Sequence, residues 1–216
     1  MKYRGLPSMM WICARRSFKR ELWHTLHFTK EEAHEITKKA HLEYEAIIKR
    51  LPLFEKSDRY EANIVNCALF SAYILHMPYK PTIEEMTLFY SKAMMTKPVK
   101  AYYRLQGLAM FSPSDIKSQQ KTAALKAADR NPYSWRMVYL PYKDGSGYEC
   151  RFDRCGICVL MNELGLKEYI SAMCHLDYEM TAAGKKADFI RQYTLASGGP
   201  YCDCGYKKKN KEVKNV

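Results

Sequence analysis

Apolar residues along the first 130 positions recur at the three- and four-residue spacing of helices that bury one face. Ala33, Ile36, Ala40, Tyr44, Ile47 and Leu51 form one such stripe. Thr29 and Glu32 precede it at the spacing of a capping box, in which the hydroxyl accepts from an amide three residues on and the carboxylate reaches back. Pro52 closes the run. A second helix is expected from Asp58, with Glu61 three residues later and Val65, Ala68, Leu69, Ala72 and Tyr73 as its stripe. Thr82 and Glu85 repeat the capping-box spacing for a helix that stops near Pro98. Two more helices are expected over 99–110 and 114–130.

The period changes after Asn131-Pro132. Residues 135–142 and 148–152 read as strands joined by the turn Lys143-Asp144-Gly145-Ser146-Gly147. Helices follow over 155–164 and 167–183, stopped by Gly165 and Gly184. Residues 187–196 and 201–207 read as two further strands joined by Ser197-Gly198-Gly199-Pro200. The pattern predicts an α+β fold. A helical region at 1–130 is expected to pack on a cysteine-rich region at 131–216, with an antiparallel sheet and helices on one side, the two forming one compact unit.

Composition narrows the function classes. The chain has 216 residues, 47% of them hydrophobic, enough for a real core. No apolar run is long enough to span a bilayer. The patch Met9-Met10-Trp11-Ile12-Cys13-Ala14 follows Lys2 and Arg4 and ends at Arg15-Arg16, too early for a secretory signal. A cytoplasmic location is therefore expected, where thiols stay reduced. The net charge is +12, with a basic run Lys207-Lys208-Lys209-Asn210-Lys211. No nucleic-acid-binding motif accompanies that charge, so the plain reading is a solvated basic surface and nucleic acid is not an expected partner. A positive field also steers small anionic substrates. No membrane partner is expected, and a homo-oligomer is compatible with the sequence.

Six of the eight cysteines, Cys150, Cys155, Cys158, Cys174, Cys202 and Cys204, fall in the last third, whereas Cys13 and Cys67 stand apart upstream. Cys155 and Cys158 form a C-x-x-C at an expected helix N-terminus, where backbone amides favour a thiolate. A redox pair, half of a metal site, a reactive thiol and a pair of buried hydrophobes all fit that spacing. Cys202-x-Cys204 is one residue too short for a second zinc half-site. Cys174 and Asp177, three apart, share a helix face if the segment is regular, with His175 pointing elsewhere. Arg191 is expected on a strand, with Tyr193 and Leu195 on its face and Thr194 on the other. An arginine so placed either clamps a carboxylate or lies on the sheet surface. The six histidines, His24 and His27 or His34 and His41 among them, match no metal-binding spacing. No cofactor is required by the sequence, and a divalent metal on Cys155, Cys158, Cys174 and Cys202 is compatible with it.

Taken together, Cys155-Gly156-Ile157-Cys158, Cys174-x-x-Asp177, Arg191-x-x-Thr194-Leu195-Ala196-x-Gly198-Gly199 and Cys202-Asp203 resemble the L-2-amino-thiazoline-4-carboxylic acid hydrolase family. The upstream helices are similar to the helical part of that family. Ser197 stands where members often carry an acidic residue, and Cys204 where an aromatic is usual. The resemblance implies hydrolytic opening of a small cyclic amidine to a carbamoyl-cysteine, by a hydrolase of carbon–nitrogen bonds on a route to cysteine. It implies Cys174 as nucleophile, Asp177 as base or orienter and Cys155 in the catalytic set. Arg191 would anchor the substrate carboxylate, and Thr194, Gly198, Cys202 and Asp203 would bind substrate. The glycine turn and cysteine strand also resemble small-molecule-binding V4R domains. A non-catalytic metal- or ligand-binding module is therefore the alternative reading.

Overall fold

The computed structural model describes residues 5–55 and 58–209. Lys2, Arg4 and the Asn210-Lys211 end of the basic run lie outside these residues. The helices are α1 (Ser8–His24), α2 (Lys30–Arg50), α3 (Glu61–Leu75), α4 (Ile83–Met94), α5 (Lys97–Ala109), α6 (Pro113–Ala127), α7 (Gly156–Glu163) and α8 (Ile170–Gly184). The strands are β1 (Arg136–Pro141), β2 (Gly147–Arg154), β3 (Ala187–Ile190) and β4 (Cys202–Lys208). They form one sheet in the order β1-β2-β4-β3, with β4 antiparallel to both neighbours. The fold class is α+β.

The chain divides into two compact units that alternate along the sequence. The first comprises Met1–Thr96, Arg130–Trp135 and Arg154–Leu176, and the second Lys97–Asp129, Arg136–Asp153 and Asp177–Val216. In the first unit, α1 packs on α2 and α4, α2 on α3, and α3 on α7. The core holds Phe18, Leu22, Tyr44, Ile47, Leu69, Phe70, Tyr73, Met86 and Phe89, all fully buried. Each such side chain stabilises the fold by about 1.5–3 kcal/mol relative to exposure. Thr29–Glu32 and Thr82–Glu85 form complete capping boxes at α2 and α4. Asp58 does not open α3, which starts at Glu61; instead its carboxylate accepts from the Tyr60 amide at 2.8 Å and from the Ser134 hydroxyl at 3.0 Å. An aspartate that bonds the amide two residues on makes a turn, and this one precedes the helix.

In the second unit α6 packs on β1. The β1–β2 hairpin turns at Asp144, which accepts from the Ser146 amide at 2.9 Å, and at Gly145 with φ +70°. The expected strand over 187–196 is shorter: β3 ends at Ile190, and residues 191–201 form a loop with one 3-10 turn, Leu195–Ser197. Period-two alternation ran on through a segment whose amides are taken by side chains rather than by a neighbouring strand.

Candidate functional site

β4 projects Cys202, Cys204 and Tyr206 to one side of the sheet, because alternate strand residues share a face. The register sets Phe152 opposite Cys202, Cys150 opposite Cys204 and Tyr148 opposite Tyr206 on β2, with Phe189 of β3 also opposite Tyr206. Cys150, Cys202 and Cys204 are all buried. Helix α6 anchors this face through polar side chains. The Tyr148 hydroxyl donates to Asp115 Oδ2 at 2.8 Å, Gln119 Nε2 donates to Asp115 Oδ1 at 3.1 Å, and the Cys150 thiol donates weakly to Gln119 Oε1 at 3.9 Å.

Asp177 and Arg191 supply the charges. Arg191 Nη1 donates to Asp177 Oδ2 at 2.8 Å. The arginine side chain is only 7% exposed, and the aspartate keeps 33% of its surface open. The guanidinium carbon lies 5.1 Å from the ring centres of both Tyr178 and Phe189, so the cation is held against two π faces as well as against its carboxylate. Arg191 follows the last residue of β3, so the expected shared face with Tyr193 and Leu195 does not exist.

Burial pushes the Asp177 carboxyl above the usual aspartate range, while the Arg191 charge and hydrogen bond oppose it. The open third of the side chain tempers the burial effect. Cys204 is raised well above an ordinary thiol, first by burial and then by the Asp177 charge, with Arg191 again opposing. Tyr206 is raised by burial, then by Cys204 and Asp177. The arrangement thus combines neutral thiol and phenol groups with one carboxylate whose proton affinity is above normal. Such a carboxylate is suited to take a proton from water.

The loop after Arg191 is stitched by side chains. Asp203 accepts from the Gln192 amide at 2.9 Å and from the Tyr193 amide at 2.6 Å. Cys202 Sγ accepts from the Leu195 amide at 3.2 Å. Thr194 Oγ1 accepts from the Ser197 amide at 3.0 Å, and Gly198 closes the turn at φ +81°, where a side chain would be strained. Thr194, Gly198, Cys202 and Asp203 therefore shape the segment that carries Arg191.

The remaining sequence candidates lie in the first unit: Cys155, which caps α7, Cys158, which is half-buried, and Cys174, half-buried on α8 three residues before Asp177. The compatible metal set of Cys155, Cys158, Cys174 and Cys202 is divided between the two units. Among the described residues no group of three or more His, Cys, Asp or Glu is arranged to hold a metal ion. No disulfide joins any of the eight cysteines.

The sequence reading singled out neither Cys150 nor Tyr206, Tyr148, Asp115 and Gln119. The alternation of Cys202, Cys204 and Tyr206 along one strand could have located Tyr206. Asp115 and Gln119 lie on an alanine- and lysine-rich helix with no local mark of function.

A family model described as L-2-amino-thiazoline-4-carboxylic acid hydrolase matches residues 59–206. No curated protein and no solved structure matches the chain.

Proposed function

The chain belongs to the L-2-amino-thiazoline-4-carboxylic acid hydrolase family, and from that premise we propose that it hydrolyses a small cyclic amidine bearing a carboxylate, with Asp177 as general base. The observation that carries this reading is the Asp177–Arg191 pair on the thiol-lined side of the sheet.

Asp177 takes a proton from a water whose oxygen bonds to the amidine carbon. When 2-aminothiazoline-4-carboxylate is opened to N-carbamoyl-cysteine, the ring carbon–sulfur bond breaks, rather than the carbon–nitrogen bond that the resemblance implies, and the ring nitrogen keeps the new carbonyl group and takes one of the two water protons. The sulfur leaves as a thiol with the proton that balances the step. Arg191 holds Asp177 in place and opposes the rise in proton affinity that burial imposes, which favours the carboxylate. Its positive charge also favours an anionic substrate nearby. The proton that Asp177 took from the water is returned to the leaving sulfur, while the buried Cys204 thiol and Tyr206 hydroxyl, whose proton affinities are raised, stay neutral and line the site. Asp203, Thr194 and Gly198 act through the loop that sets Arg191.

Purified protein incubated with L-2-aminothiazoline-4-carboxylate should yield a product heavier by one water, read by mass spectrometry. Folded protein that leaves this compound unchanged would withdraw the substrate assignment.

A further inference from the structure

The C-x-x-C segment is not used by the hydrolytic reading, and its setting differs from that of the sheet thiols. Cys155 is the N-cap of α7, with extended backbone at φ −134° and ψ 118°, and Cys158 is the third residue inside the helix. The two cysteines flank the first turn of the helix, and the Cys155 thiol is within hydrogen-bonding reach of the Cys158 side chain. Gly156 lies between them at a point where any Cβ would meet the Tyr133 carbonyl, so the helix start is pinned against the backbone of residue 133. Cys155 is 8% exposed, whereas Cys158 is half-buried and the more accessible of the two.

The thiols of Cys67 and Cys174 belong to the same unit. Cys67, fully buried on α3, interacts electrostatically with Cys155 and with Cys174. Helix α3 packs directly on α7. The four thiols are not arranged as metal ligands among the described residues.

The geometry points to a second activity: Cys155 and Cys158 form a redox-active dithiol that exchanges with small-molecule disulfides of the glutathione type, with Cys158 as the attacking sulfur and Cys155 as the resolving one. In the first step the Cys158 thiolate bonds to one sulfur of the external disulfide and expels the other as a thiolate. In the second step Cys155 attacks the Cys158 sulfur, expels the second external thiolate and gives up its own proton to it. The protein dithiol loses two electrons and two protons, and the external disulfide becomes two thiols. The order of attack follows from exposure. It also agrees with the Cys155 thiol being raised well above its ordinary range, first by its interaction with Cys158 and then by burial. A thiol held protonated is a poor first nucleophile but serves as a resolving group once the mixed disulfide has formed beside it.

Trypsin cleavage after Arg154 and Lys167 releases residues 155–167, a peptide that contains Cys155 and Cys158 and no other cysteine. The native protein is equilibrated in glutathione buffers of rising oxidised fraction, quenched with maleimide and digested. The proposal expects this peptide to lose both maleimide tags together and to become lighter by two hydrogens. In Cys155→Ser a single glutathione should accumulate on Cys158. A peptide that keeps both tags while a reference dithiol peptide is fully oxidised would overturn the proposal. So would a bond from either sulfur to Cys67 or Cys174. Should Cys155→Ser fail to fold, the native peptide decides alone. Turnover of the cyclic amidine is read separately, so failure of the hydrolytic reading leaves this result intact.

Discussion

Asp177 carries opposing influences in one side chain. Burial favours its protonated form, and a guanidinium 2.8 Å away favours the carboxylate. For activity, the rate rises as pH rises through the Asp177 pKa, because only the carboxylate accepts a proton. The acid limb of kcat/KM should therefore lie above the ordinary aspartate value of about 3.9. Replacing Arg191 with Met removes the influence that lowers the pKa and should move that limb to still higher pH. A limb at the ordinary position in both proteins would contradict the assignment. For stability the sign is the reverse of the usual aspartate. A carboxyl raised on folding contributes stability at low pH, and that contribution is lost as pH rises through its folded value. Asp177→Ala leaves the buried Arg191 cation without its carboxylate. The cost of breaking a buried pair in this way is about 3–5 kcal/mol. The partial exposure of Asp177 puts the expectation at the low end, measurable by denaturant unfolding.

The helix and strand pattern was legible where local chemistry determines it. The capping boxes at Thr29 and Thr82 and the hairpin at Asp144-Gly145 follow from side chains within a few residues of each other. Reading failed where distant groups take over the backbone. β3 stops at Ile190 because Asp203, eleven and ten residues beyond its partners, captures the amides of 192 and 193, and Cys202, seven residues beyond, captures that of 195. The sequence motif singles out Cys155, Cys174, Asp177, Arg191, Cys202 and Asp203 as candidates. It could not show that Arg191 bonds Asp177, or that Cys150 faces Cys204 across a sheet. Helix packing supplies another such case. Gly107 of α5 meets the backbone of Gly184 at the end of α8, and a Cβ on Gly107 would occupy the position of the Gly184 carbonyl. Both glycines belong to the second unit. Gly107→Ala should therefore destabilise the protein, although alanine is the better helix former by about 1 kcal/mol. Overpacking of this kind costs about 1–3 kcal/mol or more, seen as a lowered Tm. An unchanged or raised Tm would show that the two helices do not cross there.

Across the molecule, the chain carries a net charge of +12 and a pI near 9.2, giving a positive field that draws small anions toward it. Steering of an anionic substrate by such a field weakens as salt shortens the screening length to about 10 Å at 0.1 M. The value of kcat/KM for a carboxylate-bearing amidine should fall as ionic strength rises, while kcat at saturation stays level. A salt-independent kcat/KM would confine the charge to a solubility role. The two compact units alternate along the chain. No helix among the described residues is long and apolar enough to cross a membrane. The proposed reaction is the addition of water to a cyclic amidine through Asp177. Its most direct test is turnover of L-2-aminothiazoline-4-carboxylate in heavy-oxygen water by the native protein and by Asp177→Asn, with the product weighed by mass spectrometry. One heavy oxygen is expected in the new carbonyl group from the native protein, and no product above background from the folded variant. Undiminished turnover by Asp177→Asn would contradict it.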